Sequence, residues 1–171
     1  MNDFYVPSEQ LRRTTVAFTG HRTYKGEVDD ELRCVVRELY AVGIRRFLCG
    51  MSWGFDLAAG ECVAELKREH SDVVLVAVEP FATFRSLFSG VAAEQYDRVL
   101  AAADERIVVG EDERGAYMQR NDYLVDNSRL VVAWYNHSPR GGTAYTVKRA
   151  ERNRVEVTNL YPQPQLEFEF L

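Results

Sequence analysis

The chain has 171 residues, of which 46% are hydrophobic, and this fits one globular domain with a sizeable core. Its net charge of -5 argues against a protein that wraps long nucleic acid, although a local basic pocket stays open. No apolar run approaches the ~20 residues that cross a bilayer, and the N-terminus lacks the pattern of a signal peptide. We therefore expect a cytoplasmic protein with no membrane segment.

The three cysteines, Cys34, Cys49 and Cys62, lack the spacing of a metal site, and an odd number cannot all pair internally. Each lies in an apolar run, so the sequence predicts buried free thiols. Free thiols suit a reducing compartment.

Strand and helix patterns alternate along the chain. Residues 1–14 have no clear period and are predicted to form an N-terminal arm, before a domain over 15–161 and a tail over 162–171. Apolar runs predict strands, and apolar residues at helical spacing predict the helices between them. The predicted strands are 15–19, 44–49, 73–78, 106–109, 130–134 and 155–160, and the predicted helices are 28–39, 55–70, 92–103, 116–127 and 143–153.

The predicted fold class is α/β, a Rossmann-like, doubly wound and mostly parallel sheet with helices on both faces. The strands are apolar on both faces, as parallel strands covered by helices must be. In such sheets ligands bind beyond the carboxyl ends of the strands, near the point where strand order reverses. Polar, glycine-bearing turns follow the first, second and fifth strands and would open on that same edge.

The turn after the second strand, residues 49–61, joins a buried strand to a helix. This turn contains Gly50 and Gly54, with Ser52 between them. The absence of side chains at the two glycines would let an anion approach the free N–H groups of the helix N-terminus. Asp56 in the first helical turn could bind the ligand or cap the helix. Trp53 could stack on a base or pack under the loop, and Phe84 in the long loop 81–90 is a second stacking candidate.

The turn after the first strand contains Gly20, His21 and Arg22. The glycine would let backbone approach a phosphate, and the arginine could bind it with a guanidinium fork. The alternative is a solvated arginine on a turn. His21 could bind the ligand or move a proton, but it could equally be a hydrogen-bonding residue.

Two further sets of residues would point at the same edge. Arg120 and Asn121 lie in the helix before the fifth strand, and an ordinary exposed helix start is the alternative. Gly141, Gly142 and Thr143 follow the fifth strand, where two glycines and a hydroxyl make a second anion cradle. Neither the dinucleotide fingerprint nor a Walker motif is present.

Catalytic groups are not fixed by the sequence. Glu61 and Glu79 are candidate acid–base residues, but no paired carboxylate spacing selects either. We expect no required cofactor and no metal.

Taken together, the motifs resemble the YpsA family of the SLOG superfamily, which includes the LOG phosphoribohydrolases and the DprA/Smf proteins. The resemblance covers residues 15–160 and implies a Rossmann-like domain with a nucleotide-like ligand over the turns. It is carried by Thr19-Gly20-His21-Arg22, Gly50-Met51-Ser52-Trp53-Gly54-Phe55-Asp56 with Ala59 and Glu61, Gln119-Arg120-Asn121 with Val125-Asp126, and Gly141-Gly142-Thr143 with Tyr145-Thr146.

The resemblance implies phosphate binding more strongly than catalysis. LOG enzymes keep a catalytic glutamate three residues after the threonine that matches Thr143, and this chain has Thr146 there. DprA proteins bind single-stranded DNA, and their serine–glycine turn resembles the stretch from Cys49 to Asp56. This acidic chain shows no basic groove to follow a strand, so we expect no nucleic-acid partner.

The expected function is binding of a nucleotide or nucleotide-derived ligand, such as ADP-ribose, by a bacterial sensor or regulator. The alternatives are a LOG-like phosphoribohydrolase that cleaves the N-glycosidic bond of a nucleoside monophosphate, and a DprA-like nucleic-acid-binding module. In the tail, Leu166, Phe168 and Phe170 alternate with glutamates. Such a strand could add to a neighbouring subunit and form a homo-oligomer, or the tail could be a frayed terminus.

Overall fold

The computed structural model of the protein describes residues 9–163, so the predicted tail interaction and most of the predicted arm lie outside the described residues. Helices and strands alternate along this part of the chain. The strands are β1 (Thr15–Gly20), β2 (Arg46–Cys49), β3 (Val74–Glu79), β4 (Glu105–Val108), β5 (Leu130–Trp134) and β6 (Glu156–Asn159); the helices are α1 (Glu9–Arg13), α2 (Asp29–Ala41), α3 (Phe55–Glu69), α4 (Gly90–Ala102), α5 (Ala116–Asp126) and α6 (Gly142–Arg152).

The strands form one six-stranded sheet in the order β4-β3-β2-β1-β5-β6. Every neighbouring pair is parallel, which confirms the predicted α/β class. Strand order reverses between β1 and β5, where Gly20 pairs with Trp134 at the carboxyl ends. Because ligands of doubly wound sheets bind outside this reversal point, the fold itself marks one place on the edge.

Helices cover both faces of the sheet. Alternate residues of β1, such as Phe18, pack in a large core together with side chains from α2, α3 and α4. The intervening residue Ala17 faces the opposite side, in a smaller core with Leu124 of α5. The inner strands β1, β2, β3 and β5 are therefore buried on both faces, as their apolar runs predict, whereas the outer strands β4 and β6 are partly exposed.

Three local features differ from the sequence-based prediction. The arm is not irregular throughout, because Glu9–Arg13 form a short helix whose Arg12 Nε donates a hydrogen bond to the carbonyl of Ser128 at 3.2 Å. A short 3-10 helix, Phe84–Leu87, interrupts the predicted loop before α4. Cys34 is exposed, while Cys49 and Cys62 are buried free thiols, because the side of α2 that carries Cys34 faces away from the core.

The outer strand β4 is the most exposed of the sheet. Its charged side chains are paired across the strands, with Glu105 accepting two hydrogen bonds from Arg46 and Arg106 bonded to Glu79. Within residues 9–163, none of the helices has the length and apolar character needed to cross a bilayer.

Candidate functional site

A cavity of about 480 Å³ opens at the carboxyl ends of β1 and β5, where strand order reverses. Its volume is within the range of small-molecule sites. Nine of the predicted site residues line it: Gly20, His21, Arg22, Ser52, Asp56, Arg120, Asn121, Gly142 and Thr143. The turns after β1, β2 and β5 therefore do converge, together with the first turns of α5 and α6.

The N-terminus of α6 faces this cavity through Gly142 and Thr143. The first backbone bond of the helix runs from the N–H of Tyr145 to the carbonyl of Gly141 at 3.0 Å. Within the described part of the chain, the N–H groups of residues 142–144 have no acceptor, and no side chain caps the helix. These donors and the positive end of the helix dipole favour an anion.

The N-terminus of α3 is arranged differently, although its sequence predicts a similar anion cradle. The N–H of Phe55 donates to the carbonyl of His21 at 3.4 Å, and the N–H of Leu57 donates to the carbonyl of Ser52 at 3.2 Å. Carbonyl oxygens of the protein thus accept hydrogen bonds from two of the N–H groups that an anion would use. The turn after β2 contributes side chains to the cavity rather than a backbone cradle.

Arg120 joins α5 to the turn after β2 at the base of the cavity. Its side chain is 5% exposed, and its guanidinium donates hydrogen bonds to the carbonyl of Gly50, the hydroxyl of Ser52 at 3.3 Å and the side-chain oxygen of Asn121 at 2.9 Å. Burial lowers the pKa of Arg120, while the nearby Asp56 opposes that change. The arginine is thus a fixed cation beneath the cavity rather than a mobile surface group.

Asp56 is a buried carboxylate beside this cation. Burial raises its pKa from 3.8 to about 6, against the opposing effect of Arg120 and of the backbone N–H groups of Ser52 and Gly20. Its Oδ1 atom accepts no hydrogen bond from any residue in the described range. Of the described residues that line the cavity, Asp56 alone carries a carboxylate, so a donor group of a ligand would find its acceptor here.

Side chains of the turn after β1 attach this turn to the neighbouring turns. His21 Nε2 accepts a hydrogen bond from the backbone N–H of Asn136 at 3.1 Å, which ties this turn to the one after β5. Burial lowers the pKa of His21, in keeping with a neutral ring whose nitrogen accepts. The Arg22 guanidinium lies over the ring of Trp53, 4.1 Å from its centroid, and stands at the cavity mouth.

Close packing explains two of the predicted glycines. A Cβ atom at Gly20 would lie 2.4 Å from the Cβ of Phe55, and one at Gly50 would lie 2.8 Å from Asp56 Oδ2 and 3.2 Å from Arg120 Nη1. At both positions the space that a side chain would occupy is filled by protein atoms. Gly50 is not among the residues that line the cavity.

Gly54 and Gly141 also do not line the cavity, and both have positive φ angles, 83° and 111°. A Cβ at Gly54 would lie 2.7 Å from the carbonyl oxygen of His21. Gly142 is different, since a Cβ there would lie 3.6 Å from Asn121 Nδ2, at ordinary contact distance. Gly142 thus lines the cavity at the N-terminus of α6, and neither it nor Gly141, where a Cβ would meet nothing within 4 Å, is closed off by neighbouring atoms.

The predicted stacking residues pack against protein instead. Trp53 does not line the cavity; one side of its ring faces Arg22, and it meets Phe88 edge-on at 5.3 Å. Phe84 is fully buried among other aromatic rings, including those of Phe81 and Tyr96. Packing under the loop was one of the two alternatives predicted for Trp53.

Neither predicted acid–base glutamate reaches the cavity. Glu79 is fully buried and bonded to the Tyr96 hydroxyl and to Arg106. Glu61 lies on α3, where its carboxylate accepts hydrogen bonds from Gln95 at 2.9 Å and Arg98 at 2.8 Å. The described residues include no group of three or more side chains that could hold a metal ion.

Some lining residues escaped the sequence-based prediction. They adjoin the predicted turns or lie in the first turn of α5, so the convergence of the turns was the signal that could have identified them. They are Thr19, Thr23, Tyr117, Asn136 and Ser138.

Solved structures share this fold at low sequence identity. DNA processing protein A (DprA) from Streptococcus pneumoniae superposes with a TM-score of 0.65 at 20% identity, over 92% of this chain. The chain spans 53% of that protein's length. DprA from Helicobacter pylori, described as binding single-stranded DNA, gives a TM-score of 0.64 at 16% identity, over 94% of this chain and 72% of its own.

Sequence relatives cover most of the chain. The SPbeta prophage-derived protein YoqJ of Bacillus subtilis is 28% identical over 159 residues, which are 84% of this chain and 92% of YoqJ. The UPF0398 protein YpsA of Bacillus subtilis is 24% identical over 155 residues, 82% of this chain and 86% of its own. The model of the YpsA family, described as the YspA SLOG family, matches residues 17–171. The chain therefore belongs to the YpsA family of SLOG proteins.

Proposed function

We propose that the cavity between β1 and β5 binds a nucleotide or nucleotide-derived ligand, such as ADP-ribose, and that the protein is a sensor or regulator. The N-terminus of α6 is the observation that carries this proposal. Its free N–H groups at residues 142–144 face a cavity large enough for such a ligand. A phosphate there would accept hydrogen bonds from backbone donors and meet the positive end of the helix dipole.

Side chains around the helix terminus suit the same ligand. Thr143 lines the cavity and can add a hydroxyl donor to the backbone donors. Arg22 lies at the mouth of the cavity and Arg120 lies at its base, so a negatively charged ligand would contact a cation at each end of the cavity. Asp56, also at the base, offers an acceptor for a ribose hydroxyl or an amino group.

The arrangement favours binding over catalysis of the LOG type. The side chain at position 146, where LOG enzymes keep a glutamate, is a fully buried threonine whose hydroxyl donates to the carbonyl of Gly142 at 2.9 Å. Glu61 and Glu79 are engaged elsewhere. General acid–base help is typically worth ~100- to 10,000-fold in rate, so its loss would leave slow or absent hydrolysis.

One observation supports an enzymatic alternative. Asp56 lines the cavity with a pKa raised to about 6, which is within the range of a useful general acid or base. In that alternative, Asp56 would take a proton from water as the water oxygen bonds to the ribose C1′, the bond from C1′ to the base nitrogen would break, and the departing base would take up a proton. The products would be a free base and ribose 5-phosphate.

Nucleic acid is the second alternative, because one solved neighbour is described as binding single-stranded DNA. Against it stands the net charge of -5, since strand binding relies on neutralising phosphates. An oligonucleotide therefore belongs in the binding screen beside the mononucleotides.

The test is a thermal-shift and calorimetric screen of AMP, ADP-ribose, adenosine and a single-stranded oligonucleotide. At 100 times the dissociation constant, one bound ligand adds ~2.7 kcal/mol to the unfolding free energy. Phosphorylated compounds should stabilise the protein and adenosine should do so far less. Stabilisation by the oligonucleotide alone would contradict the proposal in favour of DNA binding.

Two variants localise the phosphate. Gly142→Val places a side chain in the approach to the N-terminus of α6, and Thr143→Val replaces the hydroxyl with a methyl group. Both variants should bind AMP more weakly while their unfolding free energies change little. Thr158→Val in β6 is a matched control away from the cavity, and its affinity should equal that of the wild type. Unchanged affinity in a folded Gly142→Val variant would rule out this terminus as the phosphate site.

Chromatography of AMP, GMP, CMP and UMP after incubation with excess protein separates sensor from enzyme. No release of free base is expected. Release that disappears in Asp56→Asn would overturn the sensor proposal and assign Asp56 as the acid–base residue.

A further inference from the structure

We infer that Tyr117 is the stacking platform for the planar base of the ligand, an inference that rests on the proposed nucleotide site. Among the residues of the described range 9–163 that line the cavity, only His21 and Tyr117 have aromatic rings. The His21 ring is engaged by the backbone N–H of Asn136 and packs between Trp134 and Tyr135, with centroids 5.9 Å away in both cases. Tyr117 is thus the ring left to meet a ligand.

The surroundings of Tyr117 hold its ring in one orientation. It packs nearly perpendicular to Phe81, at 5.8 Å and 88°, and to Phe84, at 6.0 Å and 76°. Phe81 and Phe84 are both buried, whereas Tyr117 is half-buried and reaches the cavity. A ring fixed in this way loses little further freedom when a base stacks on it, so more of the stacking energy appears as affinity.

The distance along α5 between Tyr117 and the proposed phosphate position matches the dimensions of a nucleotide. Tyr117 lies four residues before Asn121, which corresponds to about 6 Å along a helix axis. Asn121 in turn donates from Nδ2 to the carbonyl of Gly142 at 3.5 Å, beside the proposed phosphate position. The phosphate and base positions are therefore about one helical turn apart, a gap that a ribose can bridge.

Arg22 adds a second contact at the same level. Its guanidinium carbon lies 6.0 Å from the Tyr117 centroid and 4.1 Å from the Trp53 centroid. The stack on Trp53 keeps this cation beside Tyr117, where it can meet the edge or carbonyl oxygen of a bound base. Trp53 thereby acts as a positioning residue for Arg22 instead of touching the base itself.

The experiment compares AMP with ribose 5-phosphate, which has the same phosphate and sugar but no base. Calorimetry would give both dissociation constants for the wild type, Tyr117→Phe and Tyr117→Leu. Stacking of one base on an aromatic side chain corresponds to an affinity change of about 5- to 150-fold. Tyr117→Leu should weaken AMP binding within that range and leave ribose 5-phosphate unchanged, while Tyr117→Phe should keep AMP affinity. Met118→Ala, the exposed neighbour, is the matched control and should match the wild type.

The outcomes separate this inference from the proposed function. Equal wild-type affinity for AMP and ribose 5-phosphate would overturn base stacking while leaving phosphate binding intact, and this comparison needs no variant to fold. Equal weakening of both compounds in Tyr117→Leu would assign Tyr117 a structural role and would also overturn the inference. Failure of the wild type to bind either compound would overturn the proposed function and the stacking inference together.

Discussion

Lowering the pH should stabilise this protein through Asp56, opposite to the usual effect of an acidic residue. A carboxylate in a favourable ion pair has a depressed pKa in the folded state, and its stabilising effect is lost in acid. Asp56 has a folded-state pKa raised to about 6, because burial outweighs the attraction of Arg120. The folded state therefore binds this proton more tightly than the unfolded state does.

The magnitude follows from the two pKa values. With about 6 in the folded state and the ordinary 3.8 in the unfolded state, proton uptake begins as the pH falls through 6. Between pH 7.5 and pH 5.0, linkage gives a gain of about 1.4 kcal/mol in the unfolding free energy. The gain approaches ~3 kcal/mol below pH 3.8, and none of it is present above pH 7.

Urea unfolding of the wild type and of Asp56→Asn at pH 7.5 and pH 5.0 isolates this effect. Other groups titrate in both proteins, so the measured quantity is the pH-dependent change of the wild type minus that of the variant. A positive difference of about 1.4 kcal/mol is expected. A difference of zero would mean that attraction to Arg120 balances burial, and a negative one would mean that it outweighs burial; either would refute the assignment of Asp56 as a costly buried charge.

Three further changes test the packing of the site. Gly20→Ala should lower the unfolding free energy by about 1–3 kcal/mol in urea, because its Cβ would lie 2.4 Å from that of Phe55; Gly142→Ala should fold like the wild type, and equal losses would contradict the distinction. Phe84→Ala should cost about 3–5 kcal/mol by calorimetry as a cavity forms in the core, and a loss within ~0.5 kcal/mol would show that the ring is not buried. Arg120→Lys keeps the charge but not the fork, and should reduce both nucleotide affinity and stability; wild-type values for both would show that the guanidinium bonds contribute nothing.

Most of the fold was predictable because its inner strands are unbroken apolar runs. The run Leu130–Trp134 is fully apolar and buried throughout, and its prediction matches the observed bounds. Errors lie at the chain start, where Glu9–Arg13 form a helix too short to show a period. The 3-10 helix Phe84–Leu87 was missed for the same reason, since aromatic packing rather than helical spacing determines it.

Prediction of the site from sequence was limited because a glycine in a turn can have any of several structural roles. A turn glycine can admit a ligand, permit a positive φ or make room for a neighbouring side chain, and local sequence does not distinguish these cases. Gly142 leaves space at the cavity, whereas Gly20 and Gly50 make room for Phe55 and the Asp56–Arg120 pair. Phe55 and Arg120 come from segments far along the chain from the glycines that they contact, so only the tertiary structure reveals these two contacts.

The exposed strand β4 has a consequence for the behaviour of the protein at high concentration. An open strand edge can template pairing with another chain, and charged side chains on the edge oppose such pairing. Glu105 and Arg106 place opposite charges on adjacent residues of this strand, and each is held by a partner from an inner strand. A second molecule docking its own edge here would have to break these pairs or bury them. This side of the sheet is therefore protected against edge-to-edge aggregation.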